Sequence, residues 1–263
     1  MAEHRLTDEI TTMQQPLVVT RLPLAGYPIN SMTAEAAGKL VKARLMAMKP
    51  TALLFANTNF ILKCQFLRQW LHSEQVVLLN DGIGLDIVAK IIHGQSYQAN
   101  LGGTDFLPYL FKNHLSGHRI FLLGGKAGVA EAAAQAFKLY GLKIAGYLDG
   151  YTQLSPLDLR HTINQSGADI VVVAMGNPLQ EVWIETHMHA LDAKLLIGVG
   201  AFFDFVSGRV PRAPTWIRRI RLEWLYRLYR EPRRLMRRYT VDIVSFLFLC
   251  FGYSPTTHKA DRK

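Results

Sequence analysis

The sequence predicts an α/β fold, a parallel sheet layered between helices, with a basic, amphipathic helical appendage at the carboxyl end. Three observations carry this. Short apolar runs alternate with helical patterns through the first 200 residues. Those runs are apolar throughout, as strands covered on both faces are. Between Arg209 and Arg238 stand 11 arginines, no lysine and two acids, Glu223 and Glu231. That local +9 sits within a net charge of +10, so the other 233 residues are close to neutral.

Taken in order, the opening MAEHRLTDEITTMQQP has acids and no apolar core, so it does not read as a secretory signal. Strands are expected at 51–56, 76–79, 119–123, 142–145, 170–175 and 195–199. Helices are expected at 33–48, 59–71, 85–93, 105–115, 129–140, 156–165 and 179–190. Ser155 followed by Pro156 gives the sixth of these a capping hydroxyl and a preset first turn. Strand, helix, strand in this order, with right-handed crossovers, makes a Rossmann-like layered parallel sheet. A boundary falls near Gly208, giving a core over 1–208 and an arginine-rich appendage over 209–263. Pro211, Pro214 and Pro232 divide the appendage into a loop and two helices.

Residues 241–253 are apolar except for Asp242 and Ser245. Thirteen residues cannot span a bilayer, which takes about 20, and the run is too apolar for water. A helix lying in the membrane interface fits both the run and the arginines before it. Phosphate of nucleic acid, an anionic leaflet, or a substrate diphosphate would each suit those arginines. Cys64 and Cys250 are far apart and lack metal-ligand spacing, so a reducing cytoplasm is expected, with no disulfide and no metal site.

In such a sheet ligands sit beyond the carboxyl ends of the strands. The residues there are Asn57-Thr58-Asn59, Asn80-Asp81-Gly82, Gly124-Gly125-Lys126, Gly176-Asn177-Pro178-Leu179-Gln180-Glu181, and Gly200 to Asp204. Asp81 is a candidate general base, or the Asn-Asp-Gly triplet is simply a turn. Gly124 and Gly125 could seat a phosphate on their amides before a helix, or make a tight turn. They lack the P-loop ending and the full dinucleotide fingerprint. Gln180 reads as a contact to a base or sugar, and Glu181 as a first-turn acid on a helix dipole. Asp204 is either a structural acid or a site residue. Arg209 and Arg212, in a stiff proline loop near the rim, could clamp a diphosphate.

These blocks resemble the WecG/TagA/CpsF family of bacterial glycosyltransferases. The matching residues are Asn80-Asp81-Gly82-Ile83-Gly84, Gly103-Thr104-Asp105, Leu123-Gly124-Gly125, Gly176 to Trp183, and Gly198 to Asp204. They continue through Gly208, Arg212-Ala213-Pro214 and Leu222 to Leu228, and on to Glu231-Pro232-Arg233-Arg234. The resemblance covers about residues 20 to 240. It implies an inverting, metal-independent and cofactor-free transferase. A sugar would pass from a UDP donor to a polyprenyl-diphosphate-linked glycan at the cytoplasmic face of the bacterial inner membrane. It makes Asp81 the base. It puts Asn57, Thr58, Asn80, Gly82, Thr104, Asp105, Gly124, Gly125, Gln180 and Glu181 around the donor. It assigns Arg209, Arg212, Arg227, Arg234 and Arg237 to the acceptor diphosphate and the membrane.

Two positions depart from the family pattern. Phe55 stands where a Thr of a Thr-x-Asn motif is expected, with Thr58 as its substitute, and Asn100 stands where an arginine is common. The expectation drawn from them is an exopolysaccharide enzyme of glucuronosyltransferase type. The alternative is an N-acetylmannosaminyl or N-acetylmannosaminuronic acid transferase of teichoic-acid or enterobacterial-common-antigen type. Two rivals are a Rossmann-type oxidoreductase, which lacks its fingerprint, and a nucleic-acid-binding protein, which the apolar run after the arginines argues against. Self-association through an exposed apolar rim is left open.

Overall fold

A computed structural model of the chain describes residues 19–219 and 222–252. An eight-stranded sheet runs through the molecule in the order β1-β2-β4-β3-β8-β7-β5-β6. The six long strands are β3 (Thr51–Ala56), β4 (Val76–Asn80), β5 (Arg119–Gly124), β6 (Lys143–Leu148), β7 (Ile170–Ala174) and β8 (Leu195–Gly198). All six are parallel. The two-residue strands β1 (Thr20–Arg21) and β2 (Asn30–Ser31) pair antiparallel at one edge. They are too short to leave a periodic signal in the sequence.

The apolar strands are buried on both sides because helices cover both faces. In β3, Ala52, Leu54 and Ala56 face one core, while Leu53 and Phe55 face the other. The first core is closed by α2 (Thr58–Lys63), α4 (Ile83–His93), α7 (Pro156–Gln165) and α8 (Leu179–His187), through Phe60, Leu85, Leu159 and Ile184. The second is closed by α1 (Ala34–Met46), α5 (Gly103–Asn113), α6 (Val129–Lys138) and α9 (Phe202–Val206), through Val41, Phe106, Phe137 and Phe202. The chain therefore leaves neighbouring strands β3 and β8 toward opposite faces, which opens a crevice at their carboxyl ends.

Three expectations change. The helix expected over 59–71 is α2, a 3₁₀ turn (Gln65–Leu67) and the short α3 (Arg68–Leu71), because Cys64 leaves helical geometry at φ −100° and ψ 21°. The loop expected after Gly208 is present over 208–214, but beyond it the two expected helices are four among the described residues: α10 (Thr215–Arg219), α11 (Glu223–Arg230), α12 (Pro232–Tyr239) and α13 (Val241–Gly252). The apolar run at 241–253 does not lie wholly outside the body, since Phe246 and Cys250 of α13 are buried in the first core. Among the described residues no helix is long and apolar enough to cross a membrane.

Candidate active site

The rim is assembled from strand ends. Asn57 leaves β3 and caps α2, its Oδ1 accepting from Phe60 N at 3.1 Å. The same amide donates from Nδ2 to Asp81 Oδ2 at 3.2 Å. Asp81 follows β4 and is fixed by its own amide, which donates to Ala56 O at 2.7 Å. Gly82 then takes φ +99°, a conformation that disfavours any side chain. Gly102 approaches so closely that a Cβ there would meet Asp81 Oδ1 at 2.4 Å.

The charge on Asp81 is tuned by opposing effects. Burial pushes its carboxyl above the ordinary carboxylate range, and Glu223 adds to that. The Asn57 hydrogen bond and the charges of Arg238 and Arg227 pull it back. Arg238 reaches the same cluster, with Nη2 donating to Asn57 Oδ1 at 3.4 Å. Arg227 stacks over the Phe205 ring at 5.3 Å. The Nε atoms of both arginines are buried without a partner among the described residues. These are donors able to meet an anion.

A second group ties the β7 and β8 ends together. Gln180 Oε1 accepts from Gly200 N at 2.8 Å and from Gly176 N at 3.3 Å. Its Nε2 donates to Glu181 Oε1 at 2.7 Å, which also receives Asn177 Nδ2 at 2.6 Å. Asn177 Oδ1 in turn accepts from Asn59 Nδ2 at 3.4 Å. Burial pushes the Glu181 carboxyl upward. The peptide bond between Asn177 and Pro178 is cis.

The expected site residues divide accordingly. Asn57, Thr58, Asp81 and Gly82 stand together at the β3 and β4 ends. Gly124 and Gly125, at φ +128° and +74°, form the β5 end. Gly125 N bonds Ala174 O at 2.9 Å. Gln180 and Glu181 are buried beneath the rim, Gln180 bonded to the two loops and to Glu181 Oε1, while Glu181 Oε2 has no hydrogen-bond partner among the described residues. Asn80 ends β4, where it is buried and gives its amide to Asp86 Oδ1 at 3.3 Å, while its own Oδ1 has no partner among the described residues.

Thr104 lies in the first turn of α5, and Asp105 beside it pairs with Arg212 Nη1 at 2.9 Å and Arg218 Nη1 at 3.4 Å. Arg212 also reaches Glu223 Oε2 at 3.3 Å, so it fastens the appendage to α5. Arg209 is exposed on the surface, and Arg237 is exposed and pairs with Asp242 at 4.0 Å. The side chain of Arg234 lies outside the described residues. Arg238 was not among the arginines expected at the site. Asp204, a structural acid or a site residue by sequence, lies in the first turn of α9, and its carbonyl accepts from Val210 N at 2.9 Å.

Comparison with known proteins decides the family. The model described as "Glycosyl transferase WecG/TagA/CpsF family" matches residues 22–260. The chain belongs to the WecG/TagA/CpsF family. It is similar to proteins named N-acetylglucosaminyldiphosphoundecaprenol N-acetyl-beta-D-mannosaminyltransferase. The one from Bacillus subtilis is 36% identical over 168 residues, 63% of this chain and 65% of that protein. The one from Bacillus spizizenii is 37% identical over the same shares. The similarity thus spans less than two thirds of the length of these relatives. For this WecG/TagA/CpsF member, the departures at Phe55 and Asn100 have local accounts. Phe55 packs against Gly103 and Phe106. Asn100 Oδ1 takes Gly82 N at 2.9 Å and so supports the Asp81 turn.

Proposed function

We propose that this protein is an inverting glycosyltransferase that moves N-acetylmannosamine from a UDP-sugar to an N-acetylglucosaminyl-diphosphate-polyprenol. One observation carries the reading: a carboxylate, Asp81, stands at a strand end within a crevice, fixed by Asn57 and faced by Arg227 and Arg238. Such a carboxylate takes the proton of an attacking hydroxyl as that oxygen closes on the anomeric carbon. The bond to the UDP oxygen breaks on the opposite face, and negative charge builds on the leaving diphosphate. Guanidinium groups stabilise that charge without needing a cation.

The nucleotide would lie across the Gly125, Gly176 and Gly200 ends. Gly125 and Asp81 are four strand spacings apart, roughly 20 Å. An extended nucleotide-sugar can bridge such a span. The names of the relatives favour N-acetylmannosamine over the glucuronic acid suggested by Phe55 and Asn100. Their printed β linkage, formed from an α-configured nucleotide sugar, requires inversion. Acceptor lipid brings the reaction to a membrane surface, where we place the protein as a peripheral enzyme without a resident cofactor.

The test is a donor panel assayed on synthetic N-acetylglucosaminyl-diphosphate-polyprenol with EDTA present. Transfer from UDP-N-acetylmannosamine alone is the expected result. Transfer from UDP-glucuronate instead would overturn the donor assignment. Transfer only after a divalent cation is restored would overturn the arginine account. Asp81→Asn should lose turnover by several orders of magnitude while still binding UDP in calorimetry. Turnover within tenfold of the parent would remove Asp81 from the role of base.

A further inference from the structure

The three arginines of α12 with described side chains differ in where they go. Arg233 is exposed, and Arg237 is exposed against Asp242. Arg238 turns inward to Asn57, which lies 181 positions earlier in the chain. Asn57 has no freedom left once that contact forms. Its Oδ1 accepts from Phe60 N and from Arg238, so its Nδ2 must be the atom that faces Asp81 Oδ2. A flipped amide would set a donor against two donors and an oxygen against a carboxylate.

We propose that Arg238 is a positioning residue: it fixes and polarises the Asn57 amide, and Asn57 in turn holds the Asp81 carboxylate in its working orientation. The inference rests on Asp81 being the base. It gives the appendage a task besides binding substrate, because the base is set only when α12 is docked. Pulling electron density from the amide oxygen makes Nδ2 a better donor to a charged acceptor. The groups facing Asp81 are Asn57 from the β3 end, Arg238 from α12, and Arg227 and Glu223 from α11. Removing Arg238 therefore removes one favourable charge and loosens one hydrogen bond, and both changes favour the protonated carboxyl.

The experiment is a ¹³C NMR titration of the Asp81 carboxyl in the full chain, with the pH profile of kcat/KM beside it. Arg238→Gln should raise the titration midpoint by about one pH unit and cut kcat/KM about tenfold on the acidic limb, with recovery at high pH. Arg238→Lys should return most of the midpoint, and Arg233→Gln should leave it unmoved. Asn57→Ser keeps a capping oxygen but no amide, and in that background Arg238→Gln should shift the midpoint clearly less. An unmoved midpoint in Arg238→Gln, or an equal shift in both backgrounds, would overturn the proposal. The titration reads Asp81 whether or not turnover is detected. Asp81→Asn that keeps its turnover would instead sink the base assignment, so the two failures are distinct.

Discussion

Asp81 sits where burial opposes its charge and two arginines support it. The sign of the pH response follows. A base works ionised, and its carboxyl is held above the ordinary carboxylate range, so kcat/KM should rise with pH through a limb displaced above about pH 4. A limb at or below the value of a free aspartate would show that the proton acceptor is another group. Gly102 makes a second residue-scale prediction. Gly102→Ala would press a methyl onto Asp81 Oδ1, and the carboxylate is the part able to move. Turnover should fall on the order of a hundredfold, as displacements near 1 Å do, while the melting temperature changes by only a few degrees. A large loss of stability with activity per folded molecule intact would place the clash elsewhere. Asp81 and Asn57 are legible in the sequence because each stands within two residues of the end of an apolar run. Arg238 is not, because it stands among four arginines on eight residues, and the docking angle of α12 decides that it turns inward. Asn80 sits deeper than its neighbour because the strand runs one residue longer than its apolar run.

At the scale of elements, the crevice depends on two strand ends held at a fixed separation. Gln180 does this with one amide, taking the free N–H of Gly176 beyond β7 and of Gly200 beyond β8. Gln180→Leu would leave both donors and the Glu181 carboxylate without that partner in a buried place. The expected cost is about 1–3 kcal/mol for the stranded groups, visible as a melting point several degrees lower and as weaker UDP binding. Unchanged stability would mean that water replaces the amide and the tie is dispensable. The six long strands and most helices covering them are legible because continuous apolar runs and helical periodicity differ plainly. The break at Cys64 is not, since α2, the 3₁₀ turn and α3 keep one apolar pattern over a changed backbone. The packing of α13 is hidden for a related reason. Its composition reads the same whether Phe246 and Cys250 meet a lipid or, as here, a core.

Over the whole molecule, the charge surplus is split by direction. Arg212, Arg218 and Arg238 spend guanidinium groups on Asp105, Glu223 and Asn57, which argues against one continuous face for nucleic acid. Arg209, Arg230, Arg233 and Arg237 remain exposed. The outer side of α13 carries Val241, Val244, Phe248 and Phe251, a stripe at helical spacing, with exposed Ile87 and Ile91 on α4, one of the helices it packs against. Exposed arginines and an apolar stripe on one amphipathic segment suit the surface of an anionic bilayer. The chain should therefore bind vesicles containing phosphatidylglycerol, more weakly as salt rises, and should show no comparable binding to duplex DNA at the same salt. Phe248→Ser with Phe251→Ser should keep the fold, since both rings face outward. Half-insertion of each ring is worth about 1.5 kcal/mol, so vesicle affinity should fall roughly a hundredfold while turnover on a short, water-soluble acceptor is retained. Affinity undiminished in the double variant would mean that the arginines alone make the contact and that the stripe faces something other than lipid.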